Sequence, residues 1–244
     1  MDMAGASLLI PHIHRKAGEI VAITRRLFVL GASAGLAGCV AQAKPDLASV
    51  APRADAQHLA MYAAIEGEPF PVPAVDLSKV DAKFLRSEVS YPTGELPGTI
   101  VVDPNARYAY LVMEGGRALR YGVGVGKEEG FNFQGEAVIA RKAEWPRWTP
   151  TPDMIAREPD RYGKYAGGLD GGAGNPLGPR ALYLYRDGRD TLYRLHGTVE
   201  PWTIGTMASS GCIRFLNQDI IDLHRRVPVG AKVVVLPASG VATG

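Results

Sequence analysis

Between residues 99 and 123, three short runs rich in β-branched and aromatic residues follow one another, at 99–103, 108–113 and 118–123. Asp103–Pro104–Asn105 and Glu114–Gly115–Gly116 separate them. Apolar runs too short for helices, divided by turn-forming residues, are the pattern of consecutive β-hairpins. Further strands are expected at 136–142, 181–185, 191–196 and 232–236. The expected body is therefore mostly β, a β-rich α+β fold with antiparallel sheets and short helices.

One helix near the C-terminus interrupts this pattern. Asn217 stands where it can cap the helix, and Asp219 suits its positive end. Leu216, Ile220, Leu223 and Val227 recur at helical spacing before Pro228 stops the run. Cys212 then lies in the loop entering the helix. Two irregular stretches, 145–152 with its prolines and tryptophans and the glycine-rich 167–178, form a long insertion. Loops of that length in a compact domain often line binding sites.

The first part of the chain has a different character. Arg25–Arg26 is followed at once by an apolar run to Leu36. It is too short for a transmembrane helix of ~20 residues, and reads as a twin-arginine export leader. Its end has two readings: Leu36–Ala37–Gly38–Cys39 resembles a lipobox that would lipidate Cys39, and Ala41–Gln42–Ala43 fits a cleavage site. An uncleaved signal anchor is the third. The expected organisation is a leader over 1–39, a Pro/Ala-rich tether over 40–82 with a short helix around 54–65, a catalytic body over 83–238 and a tail over 239–244. The expected location is the periplasm or cell envelope, with membrane contact only through a lipid anchor.

Cysteine usage narrows the chemistry. The chain has two cysteines, and with Cys39 acylated or removed, Cys212 has no disulfide partner in an oxidising compartment. Of five histidines, His12 and His14 lie in the leader and His58 in the tether, which leaves His196 and His224. His224 sits beside the apolar stripe of the helix and reads as structural. His196 ends a strand at Gly197, where a side chain can be aimed into a cleft. A thiol next to an imidazole suggests a cysteine acyltransferase or hydrolase, because the thiolate is the nucleophile and a nearby histidine is the commonest means of making one.

Other chemistries fit less well. The Gly122–Lys127 stretch is glycine-rich, but Glu128 replaces the serine or threonine of a P-loop and Lys127 breaks the dinucleotide fingerprint. These glycines read as a strand bulge and turn. No metal is expected, since one cysteine and one or two histidines lack paired-ligand spacing. Ser209 and Ser210 lack the frame of a serine hydrolase. A formal net charge of +2 without a basic stripe gives no reason to propose nucleic acid.

The ordered set His196–Gly197–Thr198, then Ser209–Ser210–Gly211–Cys212–Ile213–Arg214 with Asn217 and Asp219, then Val227–Pro228–Val229–Gly230 and the final β run, resembles the signature of the L,D-transpeptidases with the YkuD-type catalytic domain. The resemblance covers about residues 97–236. Members commonly carry histidine where Ser210 stands, so no second-histidine role carries over. The resemblance implies peptidoglycan stem peptides as donor and acceptor and no cofactor. Cys212 would be the nucleophile, with His196 as the base and the Gly197 carbonyl orienting the imidazole. The Gly211 and Cys212 N–H groups would face the oxyanion, while Ser209 shapes the cleft. Arg214 would bind a substrate carboxylate or form a structural ion pair. The expected reaction is cross-linking between diamino-acid residues. Trimming as an L,D-carboxypeptidase, attachment of an envelope protein to the wall, and a catalytically silent wall-binding lipoprotein are the alternatives.

Overall fold

A computed structural model describes residues 55–126, 133–209 and 211–238. The leader, Cys39, the 41–43 cleavage site, Lys127, Ser210 and the tail lie outside the described residues.

Asp55 caps α1 (Ala56–Met61) by accepting a hydrogen bond from the His58 N–H. The chain then runs through β1 (Ser87–Ser90), β2 (Ile100–Asp103), β3 (Tyr108–Met113), β4 (Arg117–Gly126) and β5 (Gly135–Glu144). Two short helices, α2 (Pro152–Arg157) and α3 (Pro159–Tyr162), fill the first half of the insertion. β6 (Arg180–Arg186), β7 (Arg189–His196), β8 (Met207–Ser209), β9 (Ile213–Phe215), α4 (Asn217–Arg226) and β10 (Lys232–Val235) follow.

The strands form one sheet in the order β1-β4-β3-β2-β10-β5-β6-β7-β9, and β9 pairs back onto β4 at Val123–Phe215 and Gly124–Arg214. That return closes the sheet into a barrel-like wall. Most pairings are antiparallel; β2 with β10, β7 with β9 and β4 with β8 are parallel. The β1, β8 and β9 strands were not expected, because none of them carries the consecutive β-branched and aromatic residues that mark the others. Ile100, Val123, Leu182, Leu195 and Val233 fill the interior, and α4 lays Ile220 and Leu223 into the same cluster.

Two expectations are corrected. From Asp55 onward, the supposed tether is a strap packed on the body. Tyr62 is 1% exposed and joins Phe84, Leu85, Ile204 and Leu216 in a second core. The Gln218 Nε2 donates to the Ala63 and Pro73 carbonyls at 3.1 and 2.9 Å, and Glu68 pairs with Arg180 at 2.6 Å. Prolines and mixed charges disguised it: a few anchors without periodicity cover apolar surface that the body leaves open. The glycine run, in turn, is the end of β4 rather than a turn. A Cβ at Gly122 would overlap the Phe84 carbonyl and one at Gly124 would come within 2.8 Å of the Thr203 carbonyl, so these glycines admit neighbouring backbone. A register slip between Val125 and Gly126, opposite β8, is the bulge that was expected.

Candidate active site

Parallel pairing of β7 with β9 sets Leu195 beside Ile213 and His196 beside Arg214. Cys212, one residue ahead of β9, therefore lies beside the strand that carries the histidine. His196, Ser209, Cys212 and Arg214 all line one cleft of about 370 Å³, a volume in the range of small-ligand sites. The insertion supplies the opposite wall. Trp148 meets Tyr162 and Tyr165 edge to face, at 6.1 and 5.6 Å between ring centroids, and all three rings border the cleft.

His196 is 6% exposed. Its Nδ1 lies 2.6 Å from the Gly197 carbonyl oxygen. A carbonyl only accepts, so Nδ1 carries the hydrogen and Nε2 keeps the lone pair. The Gly197 loop is fixed from α4: the Asn217 Oδ1 accepts from the Thr198 N–H at 2.9 Å, and a Cβ at Gly197 would overlap that oxygen. Asn217 is thus not the helix cap expected from sequence. Leu216 occupies the cap position without a side-chain bond, and the asparagine ties the histidine loop to the helix.

Cys212 is a free, half-buried cysteine. Its Sγ lies 3.8 Å from the Leu192 carbonyl. An irregularity in β7 makes this possible. The register jumps from Tyr183–Arg194 to Tyr185–Asp190, and Leu192 sits at φ 64° in the left-handed region. The Asp190 Oδ1 pins the kink by accepting from the Leu192 N–H at 2.8 Å, while its carboxylate grips Arg194 through both oxygens. Nothing in the sequence pointed to Asp190, Leu192 or Arg194 beyond a polar residue inside a strand run.

Ser209 locks the cysteine loop. Its hydroxyl donates to the Cys212 carbonyl at 2.6 Å and accepts from the Gly211 N–H at 3.1 Å. The Gly211 donor expected to face an oxyanion is therefore engaged internally. Gly211 has φ 126°, which a side chain would strain. Arg214 is in an ion pair, its Nη1 2.8 Å from the Glu200 Oε2 and 3.4 Å from the Thr203 Oγ1. Glu200 also borders the cleft, and sequence reading had missed it. His224 is half-buried on α4, outside the cleft lining, with its Nε2 unpaired.

Burial dominates the electrostatics of the pair. It pushes His196 down to about 3, with the Arg214 charge adding to the effect and the Gly197 carbonyl opposing it. Burial also raises the Cys212 thiol, and the Arg194 N–H together with the Arg194 and Arg214 charges offsets only part of that. Both shifts favour a neutral thiol and a neutral imidazole in the resting pair. Among the described residues, no three potential metal ligands come together.

The YkuD family, the L,D-transpeptidase catalytic domain, matches residues 97–235. The chain belongs to this family. The match contains every cleft residue described above, whereas the strap precedes it. The ORF 5 protein of the ATP synthase subunits region in Fuscovulum blasticum, which carries an L,D-transpeptidase name, is 38% identical over 52% of this chain and 62% of its own length. The probable L,D-transpeptidase ErfK/SrfK of Escherichia coli K12 is 39% identical over 40% of this chain and 30% of its own. The chain thus spans less than two thirds of these curated relatives. A crystal structure from Brucella melitensis, described as a probable carnitine operon oxidoreductase caia, is 52% identical over 66% of this chain and 99% of that one, with a TM-score of 0.45. That description belongs to that protein.

Proposed function

We propose that this YkuD-type domain is a cysteine L,D-transpeptidase acting on peptidoglycan stem peptides. The observation that carries the reading is the His196 tautomer: with Nδ1 bound to the Gly197 carbonyl, Nε2 is the basic nitrogen in the cleft that holds Cys212. The Cys212 Sγ attacks the carbonyl between the third residue, a diamino acid, and the D-alanine at position four. The thiol proton passes to the His196 Nε2 and on to the leaving amine nitrogen as the C–N bond breaks. D-Alanine departs and a thioester remains. An acceptor amine then attacks the thioester carbon, gives its proton through His196 to the sulfur, and the C–S bond breaks.

Because both partners are neutral at rest, proton transfer accompanies attack instead of preceding it. The Cys212 N–H is the oxyanion donor in this reading, since the Gly211 N–H is held by Ser209; such a donor contributes about 3 kcal/mol. Export through the Arg25–Arg26 leader to the envelope and lipidation at Cys39 belong to the same proposal, and intact-mass analysis of the exported protein tests the lipid.

Incubation of the protein with disaccharide-tetrapeptide, followed by mass spectrometry, tests the reaction. Cross-linked dimers are expected; tripeptide alone would mean trimming. A protein-linked tripeptide from mixtures with an envelope protein would mean attachment. Identical products from wild type and Cys212→Ala, with no thioester mass, would overturn the enzymatic reading. A folded protein that is not acylated by a carbapenem yet sediments with sacculi would be a binding module.

A further inference from the structure

Glu200 and Arg214 form a charged pair in the cleft beside the nucleophile, and the reaction above does not use it. The pair is single-pointed: Nη1 meets Oε2, where a carboxylate and a guanidinium can meet through two parallel bonds. Nη2 and Oε1 are outside that contact. The glutamate backbone is clamped on both sides, its N–H donating to the Thr198 Oγ1 at 3.0 Å and its carbonyl accepting from the Thr203 hydroxyl at 2.7 Å. The backbone of Glu200 is therefore fixed where its carboxylate meets the guanidinium in the cleft. Arg214 follows Cys212 by two residues, roughly 6–7 Å of extended chain.

The chemistry that fits is an α-amino acid whose amine reacts. D-Alanine leaves as an amine with a carboxylate on the next carbon. A diamino acid whose far carbon bears both an amine and a carboxylate presents the same pair of groups when it attacks. Departure and attack are the forward and reverse senses of one step, so both groups occupy one subsite. Resting on the proposed reaction, we infer that Arg214, held by Glu200, is the subsite for the α-carboxylate of the D-amino acid whose amine leaves and then attacks, with Glu200 as its positioning residue. Water has no carboxylate, so the subsite favours transfer over hydrolysis. A bound carboxylate also screens the Arg214 charge that lowers the basicity of His196, and the base strengthens as the amine arrives.

The test offers the full-length protein, acylated with the tripeptide by reaction with the tetrapeptide, equal amounts of D-methionine and D-methioninamide, which differ only in the carboxylate, and reads the product ratio by mass. Both compete for one thioester, so a general loss of rate cancels. The wild type is expected to favour the acid about tenfold or more. Arg214→Gln is expected to bring the ratio within about threefold, with Arg214→Lys in between as a second variant should Arg214→Gln melt early. Glu200→Gln is expected to raise KM for D-methionine several-fold with little change in kcat, and Glu200→Asp to recover part of it. A wild-type ratio near one, or an Arg214→Gln ratio equal to wild type, overturns the subsite. KM rising equally for acid and amide in Glu200→Gln overturns the positioning role. A protein that forms no thioester fails at the proposed reaction itself; one that forms it without preferring the acid fails only here.

Discussion

At the scale of single residues, the site rests on protons and backbone torsions. A neutral thiol with a raised pKa makes a direct prediction: alkylation of Cys212 by iodoacetamide rises about tenfold per pH unit from 6 to 8. A plateau in that range would reveal a thiolate–imidazolium pair. The same burial acts on stability. His196 and His224 are pushed down to about 3 and about 4, mainly by desolvation, so the unfolded chain binds protons first as pH falls below about 6.5. Their contribution is whole above 6.5 and is lost progressively as pH falls toward 3 to 4. Asp219, raised to about 7 by burial, works in the opposite sense over the same range, so the test is a comparison: between pH 7 and pH 4, the melting temperature of His224→Gln should lose less, or gain more, than that of the wild type. Gly211→Ala, forced to φ 126°, should cost about 1–3 kcal/mol by urea unfolding.

Among the elements, α4 and β7 do the positioning. The helix reaches back through Asn217 to the Thr198 N–H, and so fixes the loop whose Gly197 carbonyl sets the histidine tautomer. Asn217→Ala leaves that N–H without its partner, which costs about 1–2 kcal/mol. It should slow thioester formation by more than that stability loss accounts for, as single-turnover mass measurements would detect. The β7 kink turns the Leu192 carbonyl to the thiol, and Asp190 holds it. Sequence reading recovered β3 to the residue and β6, β7 and β10 to within two, because their apolar runs are long enough to be read. It missed β9, the strand that brings Cys212 to His196, because three residues owe their conformation to β4 and β7 on either side.

Over the whole molecule, the strap joins the N-terminal part of the described chain to the back of α4. The Tyr62 hydroxyl donates to Asp219 at 3.1 Å and accepts from the Arg86 N–H at 2.7 Å. Arg86 pairs with Asp222 at 2.7 Å, and the Tyr121 hydroxyl donates to the same carboxylate at 2.8 Å. The helix that fixes the histidine loop thus takes part in a buried polar network anchored by the strap and β4. Tyr62→Ala should cost about 3–5 kcal/mol, seen as a lower urea midpoint. Because the strap supports α4, acylation of Cys212 should weaken before global unfolding begins.

The sequence by itself determined what is local and chemical. β-Branched runs between turn formers dictated a β-rich body, a 3.6-residue repeat dictated α4, and the order of histidine, cysteine and arginine motifs identified the family, since each signal is complete within a few neighbouring residues. Tertiary structure decided what depends on distant chain. It turned a proline-rich segment into a strap, because burial of Tyr62 needs the surface around Leu216. It made the thiol and imidazole neutral, because desolvation comes from the whole fold and not from the pair. It moved Asn217 from cap to tie and engaged the Gly211 N–H with Ser209, and it set Glu200 against Arg214. Hydrogen-bond partners are chosen by three-dimensional proximity, which residue order does not contain.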